Sequence, residues 1–149
     1  VWEEDKLFYV KENIKKSNPD LVHHGMNFLP KKMGFIKKTI DQNKQPIVIF
    51  GANWCPDARL LEGVIRLTVV KDFLERNANI LNIDVGDYEI NTALFKMFDK
   101  NIQDGIPRVF IMNRMGQNIN LHVNETMRKA RELSIQDIFD YFQEFVIEI

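Results

Sequence analysis

The chain has 149 residues, 45% hydrophobic and 28% charged, the composition of one soluble globular domain long enough to bury a core without covalent staples. Twenty basic against twenty-one acidic residues leave a net charge of −1, so the total charge gives no reason to expect nucleic acid or an anionic membrane as partner. A single cysteine excludes an internal disulfide, and no run approaches the roughly twenty apolar residues of a membrane-spanning helix.

Residues 1–17 carry Trp2, Leu7, Phe8, Val10 and Ile14 among many Lys and Glu, the pattern of an amphipathic helix lying on the body of a domain. Asn18-Pro19-Asp20 breaks it. His23-His24-Gly25 is the one local cluster that hints at metal. Adjacent histidines point in different directions, however, and no third ligand stands at a recognisable spacing, so a loop is the better reading. Residues 1–30 are expected to be an N-terminal helical extension and residues 31–149 the main domain. Pro30 opens a helix with Met33, Ile36 and Ile40 on one face, while Lys31, Lys32, Lys37 and Lys38 form its solvated face. Asp41 to Gln45 is then the turn into a strand.

That strand begins the most informative stretch. Ile47, Val48, Ile49 and Phe50 make a continuous apolar run, as suits a strand covered on both faces. A tight loop, Gly51-Ala52-Asn53-Trp54, leads to Cys55 and Pro56, and proline is tolerated in a first helical turn because its missing N–H would be unpaired there anyway. From Pro56 to Arg76 apolar residues recur at helical spacing, which predicts one long helix. Cys55 thus stands at a helix start, at the end of a central strand. Unpaired N–H groups and the macrodipole at such a position favour negative charge, and so the thiolate, which is the nucleophilic form of cysteine. The bland alternative is a small buried hydrophobe; the Trp54-Cys55-Pro56 context argues against it.

Ile80 to Val85 reads as a second buried strand, parallel to the first because a helix crosses between them. Gly86-Asp87 ends it, and Ile90, Leu94, Met97 and Phe98 make a short amphipathic helix. Asp84 and Asp87 are read as cap and turn residues rather than a metal pair. Gly105-Ile106-Pro107 precedes a strand at Arg108 to Met112, with the proline at its entry because a ladder interior excludes it. Arg108 is expected either beside the sulfur or as a solvated strand-end cation. Asn113-Arg114-Met115-Gly116 is a hairpin turn into Gln117 to Val123, whose alternation predicts an edge strand with His122 on the polar side. Asn124-Glu125-Thr126 matches a glycosylation triplet, a pattern common by chance. Met127 to Leu133 is expected to be helical. Ser134 and Asp137 mark a helix start, and Ile135, Ile138, Phe139, Phe142, Phe145 and Val146 form a stripe that should pack on the sheet.

Phe-Gly-Ala-Asn-Trp-Cys-Pro-Asp before a helix, with Gly105-Ile106-Pro107 about fifty positions later, resembles the thioredoxin superfamily, and most closely bacterial members with a Trp-Cys-Pro-Asp-Cys site. The resemblance runs from about Lys32 to the C-terminus. It implies a thioredoxin-like α/β fold: a central mixed sheet with helices on both faces, here with the N-terminal helical extension. It also implies that Cys55 is the nucleophile, that Pro107 is a cis-proline packed against it, and that Trp54, Pro56, Asp57, Ile106 and Pro107 form the substrate groove. Asp57 and Arg59 keep the family pattern too, and Asp57 is ambiguous: it suits the helix dipole but repels a thiolate.

Two departures matter. Ala58 stands where the family has its second, resolving cysteine, and Ile49 where many members place a buried aspartate. Without the second sulfur, an external thiol must release the product or the mixed disulfide persists. The chain is therefore an engineered trap, a natural monothiol enzyme, or a redox-inactive protein-interaction module. The partners implied are protein or small-molecule disulfides and thiols, with a reductant or oxidant protein. No phosphate loop, zinc spacing or serine–histidine–acid order is present, and no cofactor is expected. The chain begins at Val1 rather than Met, which is read as a cut or chosen boundary; a removed secretory leader is one of the readings, and on it the bacterial periplasm is favoured over the cytoplasm.

Overall fold

The structure, a computed structural model, describes residues 21–22, 28–85 and 105–148, with side chains from Gly34 onward except that of Asp84. The expected helix within residues 1–17, the His23-His24 pair, Asp87 and the amphipathic segment from Ile90 to Phe98 lie outside the described residues.

Strand β2 (Gln45–Gly51) is the centre of the molecule, and every residue in it is buried. It lies between β3 (Ala78–Asp84), which runs parallel to it with Ile47 opposite Ile80, and β4 (Arg108–Ile111), antiparallel with Phe50 opposite Arg108. A short strand β1 (Leu21–Val22) adds to the far side of β3 in parallel, giving the order β1-β3-β2-β4. Two residues carry no alternation, so periodicity does not reveal β1.

The continuous apolar run of β2 serves two cores, because successive side chains of a strand point to opposite faces. Ile47 and Ile49 join Val109 and Ile111 beneath the helices that carry Leu61, Val64, Phe73 and Phe142. Val48 and Phe50 join Phe110, Met112 and Ile83 on the other face, against Phe35 and Ile36 of α1 (Phe28–Asp41). Each such side chain contributes roughly 1.5–3 kcal/mol by leaving water, so two-sided burial holds β2 far more firmly than one face could.

The helix expected from Pro56 to Arg76 is two helices, α2 (Pro56–Ile65) and α3 (Thr68–Asn77). Arg66 caps the first, its guanidinium 2.6 Å from Glu62, and Leu67 between them is extended at φ −63°, ψ 137°. The break turns Leu67 and Val70 into the core beside Val64 and Ile65, and each helix keeps its own apolar stripe. That is why the spacing alone reads as uninterrupted.

The edge strand expected at Gln117 to Val123 does not form. The turn itself is present: Asn113 Oδ1 accepts from the N–H groups of Met115 and Gln117, at 2.9 and 3.0 Å. A bridge between Met112 and Asn118 follows, and then the chain leaves the sheet for a 3-10 turn at Leu121–Val123. The side chain of Asn120, fully buried, takes over the ladder: Oδ1 accepts from Ile111 N–H at 2.8 Å and Nδ2 donates to Val109 O at 2.7 Å. One amide side chain mimics a peptide group of the missing strand. A second 3-10 segment, Thr126–Glu132, leads to α4 (Ile135–Phe145), which opens with a capping box between Ser134 and Asp137 and buries Ile135, Ile138, Phe139, Phe142 and Phe145.

Candidate functional site

Cys55 is the N-cap of α2, with extended backbone (φ −85°, ψ 116°) and Pro56 in the first turn behind it. The preceding loop is closed by the Cys55 N–H donating to Ala52 O at 3.1 Å, and Cys55 O accepts from Arg59 N–H at 3.0 Å to start the helix. Cys55 thus stands at the amide end of a ten-residue helix, where Pro56 has no N–H and the Asp57 and Ala58 N–H groups have no partner within the helix; none of them bonds the sulfur as a cap. Sγ lies 3.9 Å from the Ile106 carbonyl oxygen, and the Ile106–Pro107 peptide bond is cis. Two segments distant in sequence are thereby joined, the strand–helix turn at Cys55 and the entry to β4 at Gly105-Ile106-Pro107.

Cys55 itself is 6% exposed, whereas its neighbour Trp54 is 48% exposed. Beside them opens a groove of about 810 Å³, lined by Trp54, Cys55, Pro56, Asp57 and Ile106 on one side and by residues 122–133 on the other. Ala58, half-buried, is not among the residues lining that groove and packs against the second core cluster, to which Cys55 also belongs, with its Cβ near the end of β2 at Gly51. Ile49, at 5% exposure, belongs to the apolar core beneath α2.

Asp57 is engaged in a way that the sequence does not announce. Its Oδ1 accepts from the backbone N–H of Arg131 at 2.9 Å and from Arg131 Nε at 3.2 Å. The carboxylate ties the first turn of α2 to the 3-10 segment across the groove. A separation of 74 positions puts this contact beyond any local pattern; only covariation between the two positions would have shown it. Arg128, in the same segment, lays its guanidinium against Gly105, directly before Ile106.

Arg108 is not the solvated strand-end cation that was one of its two expected places. It is 3% exposed, and Nη1 donates to Asn124 Oδ1 at 2.8 Å. Asn124, also 3% exposed, donates through Nδ2 to Leu121 O, so the glycosylation triplet is closed inside the fold. His122 is on the surface, its ring edge-on to Phe145. Among the described residues no group of three or more His, Cys, Asp or Glu is placed to hold a metal ion, and no helix is long and apolar enough to cross a membrane.

A family model described as Thioredoxin matches residues 22–135. The chain belongs to the thioredoxin family. Its match begins within β1 and runs to Ile135, the first residue of α4, so the sulfur, the cis-proline and the 3-10 wall of the groove all fall inside the family's span. The structure of this thioredoxin-family chain is similar to that of a disulphide isomerase from Xylella fastidiosa Temecula1, with a TM-score of 0.73 and 26% identity over 85% of this chain and 98% of that one. A mutant thioredoxin from Halobacterium salinarum NRC-1 shares the fold at a TM-score of 0.51 and 18% identity, over 90% of this chain and 98% of that one. No curated protein sequence matches the chain.

Proposed function

We propose that the chain is a thiol–disulfide oxidoreductase whose nucleophile is Cys55 and whose cycle is completed by a thiol from outside the chain. One observation carries this reading: Sγ stands at the start of α2, 3.9 Å from the Ile106 carbonyl, beside a groove of about 810 Å³. The likeness to the Xylella disulphide isomerase supports it.

In the first step the Cys55 thiolate attacks one sulfur of a substrate disulfide. The bond from Cys55 to that sulfur forms, the substrate's S–S bond breaks, and the departing thiolate takes a proton from water. Trp54, Pro56 and Ile106 line the groove, with Pro107 buried behind it, and the Ile106 backbone offers an extended substrate a strand edge to pair with. In a dithiol enzyme a second cysteine would then displace the product. Here Ala58 has a methyl there, so an external thiolate must attack the substrate sulfur of the mixed disulfide and return Cys55 to its reduced form. The same first step serves a natural monothiol enzyme and a trapping variant made by a Cys-to-Ala change.

Intact-mass analysis after incubation with glutathione disulfide tests the first step: the adduct should build up on Cys55 and disappear when free thiol is added. The variant Ala58→Cys should gain dithiol-dependent turnover in an insulin reduction assay. An unmodified Cys55, together with Ala58→Cys turnover at background, would sink the enzyme reading and leave a groove that binds peptides without redox chemistry.

A further inference from the structure

An acid two residues from a nucleophilic sulfur is a liability, because like charges disfavour each other's ionised forms. Asp57 is such an acid, and it lines the same groove as Cys55. Its carboxylate is neither turned to open solvent, its side chain being 14% exposed, nor used to cap its own helix. It is spent on Arg131, through two donors on a single oxygen. We propose that Arg131 is a positioning residue for the Cys55 thiolate, holding Asp57 and offsetting its charge so that the amides at the start of α2 act on the sulfur unopposed. This inference rests on Cys55 being the reactive thiol.

The other charged groups around the sulfur do not take over that task. From the 3-10 wall, Glu125 is 3.7 Å from Arg128, whose guanidinium lies on Gly105. Lys129 and Glu132 are exposed on the same wall and opposite in sign, and His122 sits at its far end. On the remaining sides the hydrophobic residues clustered with Cys55 are Phe35 and Ile36 of α1, Ile83, Val85 and Ile106, and the buried cation of β4, Arg108, donates to the neutral Asn124 rather than to Asp57. Arg131 is thus the cation in contact with the acid nearest to Cys55 along the chain.

The substitution Arg131→Met removes the charge and Nε but keeps the backbone N–H that also holds Asp57, so the wall stays tethered. Cys55 alkylation by neutral iodoacetamide, followed against pH, reads the thiolate without steering the reagent. The Arg131→Met profile should move to higher pH, slowing the reaction at pH 7 by about threefold to tenfold. Arg131→Lys should stay within about twofold of the parent, because the cation remains. Adding Asp57→Asn to Arg131→Met should restore the rate. A folded Arg131→Met variant with the parental profile would overturn the inference, as would a double variant as slow as Arg131→Met, since the wall's structure rather than its charge would then matter. Adduct formation with glutathione disulfide separates the two readings: coupling between residues 57 and 131 without any adduct refutes the oxidoreductase, and an adduct without coupling refutes the role of Arg131.

Discussion

Gly105 shows how closely the groove is built around single residues. Its φ of +150° is a conformation that side chains rarely adopt, and a Cβ there would also run into the Arg128 guanidinium. The two penalties differ in kind. A guanidinium at the end of a flexible side chain can swing aside, whereas the backbone cannot relax without moving Ile106, whose carbonyl stands beside Sγ. Gly105→Ala should therefore cost about 1–2 kcal/mol in urea unfolding, and truncating the obstacle in Gly105→Ala/Arg128→Ala should not recover it. Recovery in the double variant would show that the clash, not the backbone, sets the cost. The place of Cys55 at a helix start was legible from sequence because strand, turn and helix start are local patterns, whereas the cis bond before Pro107 came only from the family resemblance. Arg131 and the burial of Arg108 were not legible, because each is decided by a residue brought near only by the fold: Asp57 for one and Asn124 for the other.

At the scale of elements, the outer edge of β4 is closed by the Asn120 side chain and by irregular backbone, with Val109 N–H donating to Asn124 O and Ile119 N–H to Ile111 O, rather than by a strand. Asn120 bonds the β4 backbone and also donates through Nδ2 to the Tyr141 hydroxyl at 2.8 Å, and that hydroxyl donates to Val123 O at 2.9 Å. Helix α4 is thus locked to the 3-10 turn through one phenol. An alternating sequence such as Gln117 to Val123 could not disclose this, because a side-chain amide copies the bonding of a strand while the backbone goes elsewhere. The helix break at Arg66–Leu67 was hidden for a related reason: two short stripes in register look like one. The phenol has a pH signature. Burial, the largest cause, pushes the Tyr141 pKa well above its ordinary value of 10, because the phenolate would lose its hydration. Above about pH 10 the unfolded chain releases this proton and the folded chain retains it, so stability is full below that pH and falls as pH rises. Tyr141→Phe should lose about 1–2 kcal/mol at neutral pH by stranding its two partners, yet show a shallower decline between pH 9 and about pH 11. Urea midpoints across that range check it, and parallel declines would place the titrating group elsewhere.

Across the whole molecule, β2 joins two poles with separate duties. Its C-terminal end delivers the loop to Cys55, and its N-terminal end holds Gln45, which is 1% exposed. Gln45 Nε2 donates to Met112 O at 3.0 Å and Phe145 O at 2.9 Å, while Oε1 accepts from Ile147 N–H at 2.7 Å. One side chain therefore binds the exit of β4, the end of α4 and the segment beyond it to the central strand. Arg114 closes the same pole, donating from Nη2 to Ile147 O at 2.8 Å and from Nε to Asn43 O at 2.9 Å. Replacing Gln45 with leucine of similar size would leave two buried carbonyls without that donor, at a cost of about 2–4 kcal/mol. The seven residues of β2 span about 20 Å, so this loss lies a full strand away from the sulfur. Under conditions where Gln45→Leu remains folded, its urea midpoint should fall while the rate of Cys55 alkylation stays at the parental value. A matching fall in alkylation would mean that the two poles of β2 are coupled, and that the groove draws its geometry from the C-terminal packing as well as from the turn at Cys55.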